Sequence, residues 1–287
     1  MELTNIKTIE ELFLKHGFSF KKSLGQNFLI NPSVCPKMAK ASGADENSGV
    51  LEVGPGIGVL TKELAKVAGK VVSVEIDTRL IPLLSETLSE FDNTKVINAD
   101  ILKVDAAALI KEEFGDRPVK VCANLPYYIT SPVIMGLLEA RLPIDSITVM
   151  VQKEAAQRIC AAPGTRECGA VSLAVRYYSE PRREFSVSRG SFIPAPNVDS
   201  EVITLKIRKE PPVSVSDEKF FFRVIRGAFS MRRKTLINCL SSSLGIPKEK
   251  ISSVLSGLGI KLTARAEELT LEEFAEISEM LAKNDSK

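Results

Sequence analysis

Short apolar runs rich in β-branched residues alternate with helical spacing along residues 49–151. GVLEVG (49–54), KVVSVEI (70–76), TKVINA (94–99), VKVCAN (119–124) and DSITVMV (145–151) predict strands, and the intervals 57–68, 78–90, 104–114 and 131–140 predict helices. Near-continuous apolar strands separated by helices are the pattern of a parallel sheet covered on both faces, so an α/β, doubly wound fold is expected. Ligands of such sheets bind outside the carboxyl ends of the strands. The residues that close each apolar run are therefore where chemistry is to be sought.

Asn31-Pro32 reads as an N-cap and first helical residue, opening a helix over 32–42. After the alternating region, helical spacing near 152–162 and 168–179 leads to REFSVS, the proline-punctuated SFIPAPNVDS, and EVITLKIRK, an amphipathic strand that closes the first domain. Pro211-Pro212 and a polar stretch make a linker, which predicts domains at 1–210 and 211–287. Residues 217–287 read as wholly helical. Phe221, Val224, Ile225, Ala228 and Phe229 mark one apolar face, while Arg223, Arg226 and Arg233 fall on another by spacings of three and seven. Thr270 and Glu273 form a capping box for the last helix.

Composition removes several function classes. No apolar run approaches the roughly 18 residues of a membrane span, and the N-terminus lacks the apolar centre of a signal peptide, so a cytoplasmic protein is expected. The five cysteines form no C-x-x-C pair and the single histidine, His16, has no ligand cluster around it, so no metal site is expected. The net charge of +2 hides an asymmetry: residues 206–234 carry nine basic against three acidic side chains, a local +6, and the rest of the chain sums to −4. That is either the footprint of a polyanion-binding surface or a solvated basic face.

Three strand ends carry a coherent signal. Gly54 and Gly56, in LEVGPGIGVL, let the chain turn tightly and bring backbone amides close to a ligand. The spacing is neither a P-loop nor G-x-G-x-x-G. Glu75, at the end of the second strand, suits the two hydroxyls of a ribose, and Asp100, at the end of the third, suits an adenine amino group. Each acid alone could be a solvated strand terminus. Together they suit a nucleoside ligand, and the missing phosphate signature favours S-adenosyl-L-methionine over a dinucleotide.

Asn124-Leu125-Pro126-Tyr127 ends the fourth strand beside that ligand. It is a strand-ending turn or a catalytic motif. The exocyclic amine of adenine is a poor nucleophile because its lone pair is delocalised into the ring. Acceptors that hold its N–H groups in the geometry reached during attack improve it; the Asn124 carbonyl and a backbone carbonyl near Leu125-Pro126 can do so, and Tyr127 can stack on a base turned out of its helix. Cys122 offers covalent attack on a pyrimidine instead, without an activating neighbour in sequence. A nicotinamide-dependent oxidoreductase would account for the glycine turn and Glu75 but not for residues 124–127.

LGQNFL (24–29), LEVGPGIGVLT (51–61), VEID (74–77), Ala99-Asp100, NLPYYIT (124–130), FIPAPNVDS (192–200), FSMRRKTL (229–236) and RAEEL (265–269) together resemble the bacterial 16S ribosomal RNA adenine dimethyltransferase family, in order and through nearly the whole chain. The resemblance implies a class I, Rossmann-like methyltransferase domain with a small all-helical C-terminal domain. It implies transfer of two methyl groups from S-adenosyl-L-methionine to each of two adjacent adenosines near the 3′ end of 16S rRNA, with a role in small-subunit biogenesis. By the same resemblance Asn27 and Leu29 contact the cofactor, Gly54 lies at its methionine portion, Glu75 takes the ribose, Asp100 the adenine, and Asn124 lies beside the sulfonium and the target amine. Tyr127 is the stacking aromatic.

Related large-subunit methyltransferases usually read Asn-Ile-Pro-Tyr; Leu125, FSMRRKTL and RAEEL point to the small-subunit branch. Asn197 and Cys168 depart from the family's usual lysine and tyrosine. Lys21, Lys22, Arg223, Arg226, Arg232, Arg233 and Lys234 are expected to meet RNA phosphates, and a monomer is expected.

Overall fold

A computed structural model describes residues 1–19 and 26–283, which form two compact units. The first comprises 1–156 with 181–207, and the second 157–180 with the residues from 208 on. The second crossing lies close to the division expected at 210, whereas the grouping of 157–180 with the C-terminal helices left no mark on the sequence pattern. Helical periodicity reports which face of a helix is apolar and not which element covers it.

The first unit is organised by nine strands: β1 (Phe28–Leu29), β2 (Gly49–Val53), β3 (Lys70–Glu75), β4 (Thr94–Asn98), β5 (Val119–Asn124), β6 (Ser146–Gln152), β7 (Ser179–Val187), β8 (Phe192–Ile193) and β9 (Ser200–Ile207). Seven lie in one sheet, ordered β4-β3-β2-β5-β6-β9-β7, and β1 pairs antiparallel with β8 in a separate two-stranded ribbon. β2 through β6 run parallel, and β9 returns antiparallel to β6 with Gln152 opposite Ser200. Strand order reverses around β2, which opens a crevice at the carboxyl ends of β2 and β5.

Helices α1 (Ile6–Lys15), α2 (Val34–Ser42), α3 (Val59–Ala65), α4 (Ile81–Thr87), α5 (Ala106–Phe114) and α6 (Thr130–Glu139) belong to this unit. α2 and α3 cover the face that presents Val50, Val71, Cys122 and Met150. The alternate residues Leu51, Val72 and Val121 are equally buried on the opposite face. Burial on both faces explains why these strands read as unbroken apolar runs.

α2 begins two residues later than its sequence predicts. Asn31 Oδ1 accepts from the Ser33 amide at 3.1 Å and from its hydroxyl at 3.0 Å. The asparagine thus closes a turn of its own over Pro32, and the first helical residue is Val34. The REFSVS segment falls mostly within a strand that begins at Ser179.

α7 (Lys153–Cys160) leads into the second unit, which holds α8 (Ala170–Tyr178), α9 (Glu218–Ala228), α10 (Leu236–Leu244), α11 (Lys248–Gly257) and α12 (Leu271–Lys283). Asp217 caps α9 by accepting from the Phe220 amide at 2.9 Å. Phe221, Val224, Ile225 and Ala228 are buried, as their spacing predicts. The arginine stripe does not extend to Arg233: α9 stops at Ala228, and Arg233 lies in the turn before α10. Ser230 marks the stop: the Gly227 carbonyl accepts both its amide at 3.2 Å, a tighter 3-10-type bond, and its hydroxyl at 2.7 Å. The capping box of α12 is formed, with Thr270 N on Glu273 at 2.8 Å and Glu273 N on Thr270 at 3.2 Å. No helix among the described residues is long and apolar enough to cross a membrane.

Candidate active site

The carboxyl ends of β2, β3, β4 and β5 surround one cavity in the first unit. Asn27, Leu29, Gly54, Gly56, Glu75, Asp100, Asn124, Leu125, Pro126 and Tyr127 all line it, although they are spread over 101 residues of chain. The sheet gathers them because parallel strands end on the same side, each followed by a turn.

The floor is the glycine turn after β2. Gly54 and Gly56 adopt φ of +69° and +61°, which a side chain at either position would oppose. Glu75 closes this turn from β3: Oε2 accepts from the Gly56 amide at 3.2 Å and Oε1 from the Asp77 amide at 2.8 Å. The carboxyl is 5% exposed, and burial raises its pKa above the ordinary range while the Asp77 and Gly56 amides pull it down. Asp77 has a structural task instead. It accepts from Gln26 Nε2 at 2.9 Å and pairs with Arg79 at 2.6 Å, tying the segment before β1 to the end of β3.

At the end of β4, Asp100 Oδ1 accepts from the Leu102 amide at 3.1 Å, and Lys103 stands 3.7 Å from Oδ2. Asn98, the last residue of β4, bonds the Glu75 carbonyl at 2.8 Å, so the two acid-bearing strand ends are cross-braced.

Asn124 ends β5 with its side-chain amide facing the cavity and unpartnered among the described residues. The Leu125 amide bonds the Met150 carbonyl at 3.3 Å, which holds the turn to β6. The Pro126 carbonyl is occupied by the Ile129 amide at 3.1 Å and the Thr130 hydroxyl at 3.4 Å. Of the two backbone acceptors considered from sequence, this leaves the Leu125 carbonyl. Tyr127 is half-buried, and its hydroxyl is 2.9 Å from Ser200 Oγ.

Three contributors escaped the sequence reading. Glu52 lies inside β2, 1% exposed, and borders the cavity. Its Oε2 accepts from Thr61 at 2.6 Å and Ser73 at 2.7 Å, while Oε1 has no partner among the described residues. Burial pushes its pKa up to about 7, against the pull of those two hydroxyls. An acid within an otherwise apolar strand was the available signal. Ser200, at the end of the FIPAPNVDS segment, latches Tyr127. Phe192 also lines the cavity, brought there by its pairing with Leu29 in the β1–β8 ribbon. Cys122 is wholly buried and does not line the cavity, and burial pushes its thiol pKa up, both of which oppose covalent attack by a thiolate.

The basic residues divide. Arg208 is engaged with Glu180 at 3.0 Å and with the Arg176 carbonyl at 3.2 Å. Arg223, Arg226, Arg232, Arg233 and Lys234, all in the second unit, are exposed and make no ion pair among the described residues. Lys21 and Lys22 lie outside the described residues.

A crevice at the strand-order reversal, carboxylates at the ends of the neighbouring β3 and β4 and an amide at the end of β5 that is unpartnered among the described residues define a Rossmann-like methyltransferase. The sequence profile of ribosomal RNA adenine dimethylases matches residues 17–283, and the chain belongs to that family. It is 49% identical over 276 residues to ribosomal RNA small subunit methyltransferase A of Geobacillus thermodenitrificans, spanning 95% of this chain and 94% of the relative. The protein of the same name from Bacillus licheniformis is 49% identical over 282 residues, spanning 97% and 96%. Among solved structures, a dimethyladenosine transferase from Plasmodium falciparum superposes with a TM-score of 0.73 at 26% identity, covering 90% of this chain and 97% of that one. The 23S rRNA methyltransferase ErmE gives 0.69 at 28% identity, covering 89% and 100%.

Proposed function

We propose that this enzyme dimethylates the exocyclic N6 amines of two adjacent adenosines near the 3′ end of 16S rRNA, within the small ribosomal subunit or its precursor. The observation that carries the reading is Asn124, an amide without a partner among the described residues at the strand end beside the nucleoside crevice. Small-subunit RNA is favoured over large-subunit RNA by the 49% identity to small-subunit enzymes against 28% to ErmE.

S-adenosyl-L-methionine, when bound, supplies an electrophilic methyl group on a sulfonium. The residues fit such a ligand: the Glu75 carboxylate for ribose hydroxyls, Asp100 for the adenine amine, and the glycine turn with Asn27 and Leu29 around the remainder. Glu52 Oε1, without a partner among the described residues, offers a further buried acceptor at the same cavity. Asn124 Oδ1 and the Leu125 carbonyl accept from the target amine and hold it in the geometry of attack. Tyr127, fixed by Ser200, stacks on the extruded base. The nitrogen becomes acidic as it acquires its methyl group, so its proton leaves without a charged base.

The second unit contributes phosphate contacts through Arg223, Arg226, Arg232, Arg233 and Lys234, and the enzyme acts as a cytoplasmic monomer. Incubating unmethylated small subunits with labelled S-adenosyl-L-methionine and mapping the rRNA by mass should reveal dimethyladenosine at an adjacent pair. Labelling elsewhere, or none, would overturn the reading. Neutralising Arg232, Arg233 and Lys234 together should weaken RNA binding and lower the salt slope by about 3. An unchanged affinity and slope would remove these residues from the interface.

A further inference from the structure

Two consecutive tyrosines on the 3-10 turn Tyr127–Ile129 meet opposite surroundings. Tyr127 is half-buried and latched to Ser200 at 2.9 Å. Tyr128 also borders the cavity, yet it is 57% exposed and makes no hydrogen bond or ring contact among the described residues. Successive side chains of a 3-10 helix diverge by about 120°, so latching the first ring turns the second away from it. The backbone that carries them is held at Pro126 by the Ile129 amide and the Thr130 hydroxyl. An aromatic ring is thus held out at the cavity rim by a braced turn.

The other exposed apolar side chains at this rim have a nearer claimant. Ile76 and Leu102 follow Glu75 and Asp100, the strand ends that suit a nucleoside. Tyr128 follows Asn124 instead, on the side where the base to be modified must enter. Tyr127 and Tyr128 therefore offer two rings from adjacent residues that point apart, one available to the reacting base and the other to the base beside it. Base–aromatic stacking needs no particular hydrogen-bond pattern and covers the ring's exposed face.

We infer that Tyr128 stacks on the base next to the one being methylated, so that the RNA is gripped as a dinucleotide and the second adenosine is held ready while the first reacts. The inference rests on the proposed rRNA reaction. It makes Tyr128 a residue that governs which adenosine of the pair is taken and how often transfer continues.

The test uses the full-length enzyme and unmethylated small subunits, comparing wild type, Tyr128→Phe and Tyr128→Ala. Steady-state transfer, mass mapping of mono- and dimethyl products at each adenosine, and calorimetric binding of S-adenosyl-L-methionine are measured. Tyr128→Ala should lower kcat/KM for the subunit about tenfold and change the ratio of products at the two adenosines, with cofactor affinity unchanged. Tyr128→Phe, which keeps the ring face, should stay within about twofold of wild type. The stacking role is overturned if Tyr128→Ala keeps the wild-type rate and product ratio, if both adenosines decline with their ratio intact, if Phe is as damaging as Ala, or if cofactor binding falls in proportion. Absence of dimethyladenosine with the wild-type enzyme overturns the parent reading, whereas wild-type transfer with an indifferent Tyr128→Ala overturns only this one.

Discussion

The two ends of the parallel sheet treat polar side chains in opposite ways. At the amino ends, charges satisfy one another: Glu113 receives both Lys95 and Lys70, and Lys120 pairs with Asp145 at 3.0 Å. Lys95, and then Lys70, hold the Glu113 carboxyl below its ordinary range. At the carboxyl ends Asp77 pairs with Arg79 and Lys103 stands near Asp100, but other polar groups bordering the cavity are held by amides or hydroxyls or left open. Glu75 accepts only from amides, one oxygen of Glu52 has no described partner, and neither has the Asn124 side chain. A buried acceptor left open costs stability, so its presence at one end and not the other is the physical trace of a site kept for a ligand.

Substitutions at the two ends should separate along the same line. Asn124→Ala should cut methyl transfer by about 100-fold to 1,000-fold, the scale of removing one preorganised polar group that acts in the transition state. Binding of S-adenosyl-L-methionine and the melting temperature should hardly move. Calorimetry alongside single-turnover transfer checks both, and a variant with normal transfer would refute the role given to this amide.

Glu52 predicts a pH signature. Its folded-state pKa of about 7 lies above the ordinary 4.5, so the folded protein binds more protons than the unfolded chain between those values. The stabilising contribution is complete below pH of about 4.5 and is lost as pH rises toward 7, a loss of about 3 kcal/mol. In Glu52→Gln, urea unfolding between pH 5 and 8 should show a flatter profile than the wild type. An identical profile would mean that the acid ionises freely in the fold.

Glu75→Gln should weaken cofactor binding about tenfold to 100-fold, the worth of a hydrogen-bonded charge, with a smaller effect on stability. Equal cofactor affinity in calorimetry would detach Glu75 from the ligand. At the other end, Glu113→Gln should lose about 1 kcal/mol of stability, because both lysines reach solvent, and leave kcat/KM unchanged. Denaturant midpoints and initial rates measured on the same preparations test that contrast. A fall in rate without a fall in stability would break it.

Much of this arrangement was legible because it is local. Unbroken apolar runs marked strands buried on both faces, and the acids and amide that close them fell at the carboxyl ends where parallel sheets bind ligands. Thr270 and Glu273 announced their helix by a three-residue relation that side chains can satisfy unaided. The misjudged boundaries were local competitions. Asn31 bonded its own turn rather than capping over proline, and Ser230 diverted a carbonyl at the end of α9.

What the sequence concealed depends on distant partners. Nothing near Phe28 reveals that it pairs with Ile193, nor anything near Ser200 that its hydroxyl fixes Tyr127. Residues 157–180 gave the right spacing for helices without revealing which unit they join. Glu52 was visible as an acid in an apolar strand, but the two hydroxyls that share one of its oxygens come from α3 and β3.

The β1–β8 ribbon also sets a timetable for synthesis. Asn27 and Leu29 leave the ribosome early, and the acids and Asn124 follow, but the lining residue Phe192 and the latch at Ser200 emerge only after some 70 further residues. At about 5–20 residues per second that is a delay of several seconds. During it the nascent chain carries the Asn124–Tyr127 turn without its latch. A protein whose substrate is the ribosome's own RNA thus becomes competent only when most of its first unit has been made.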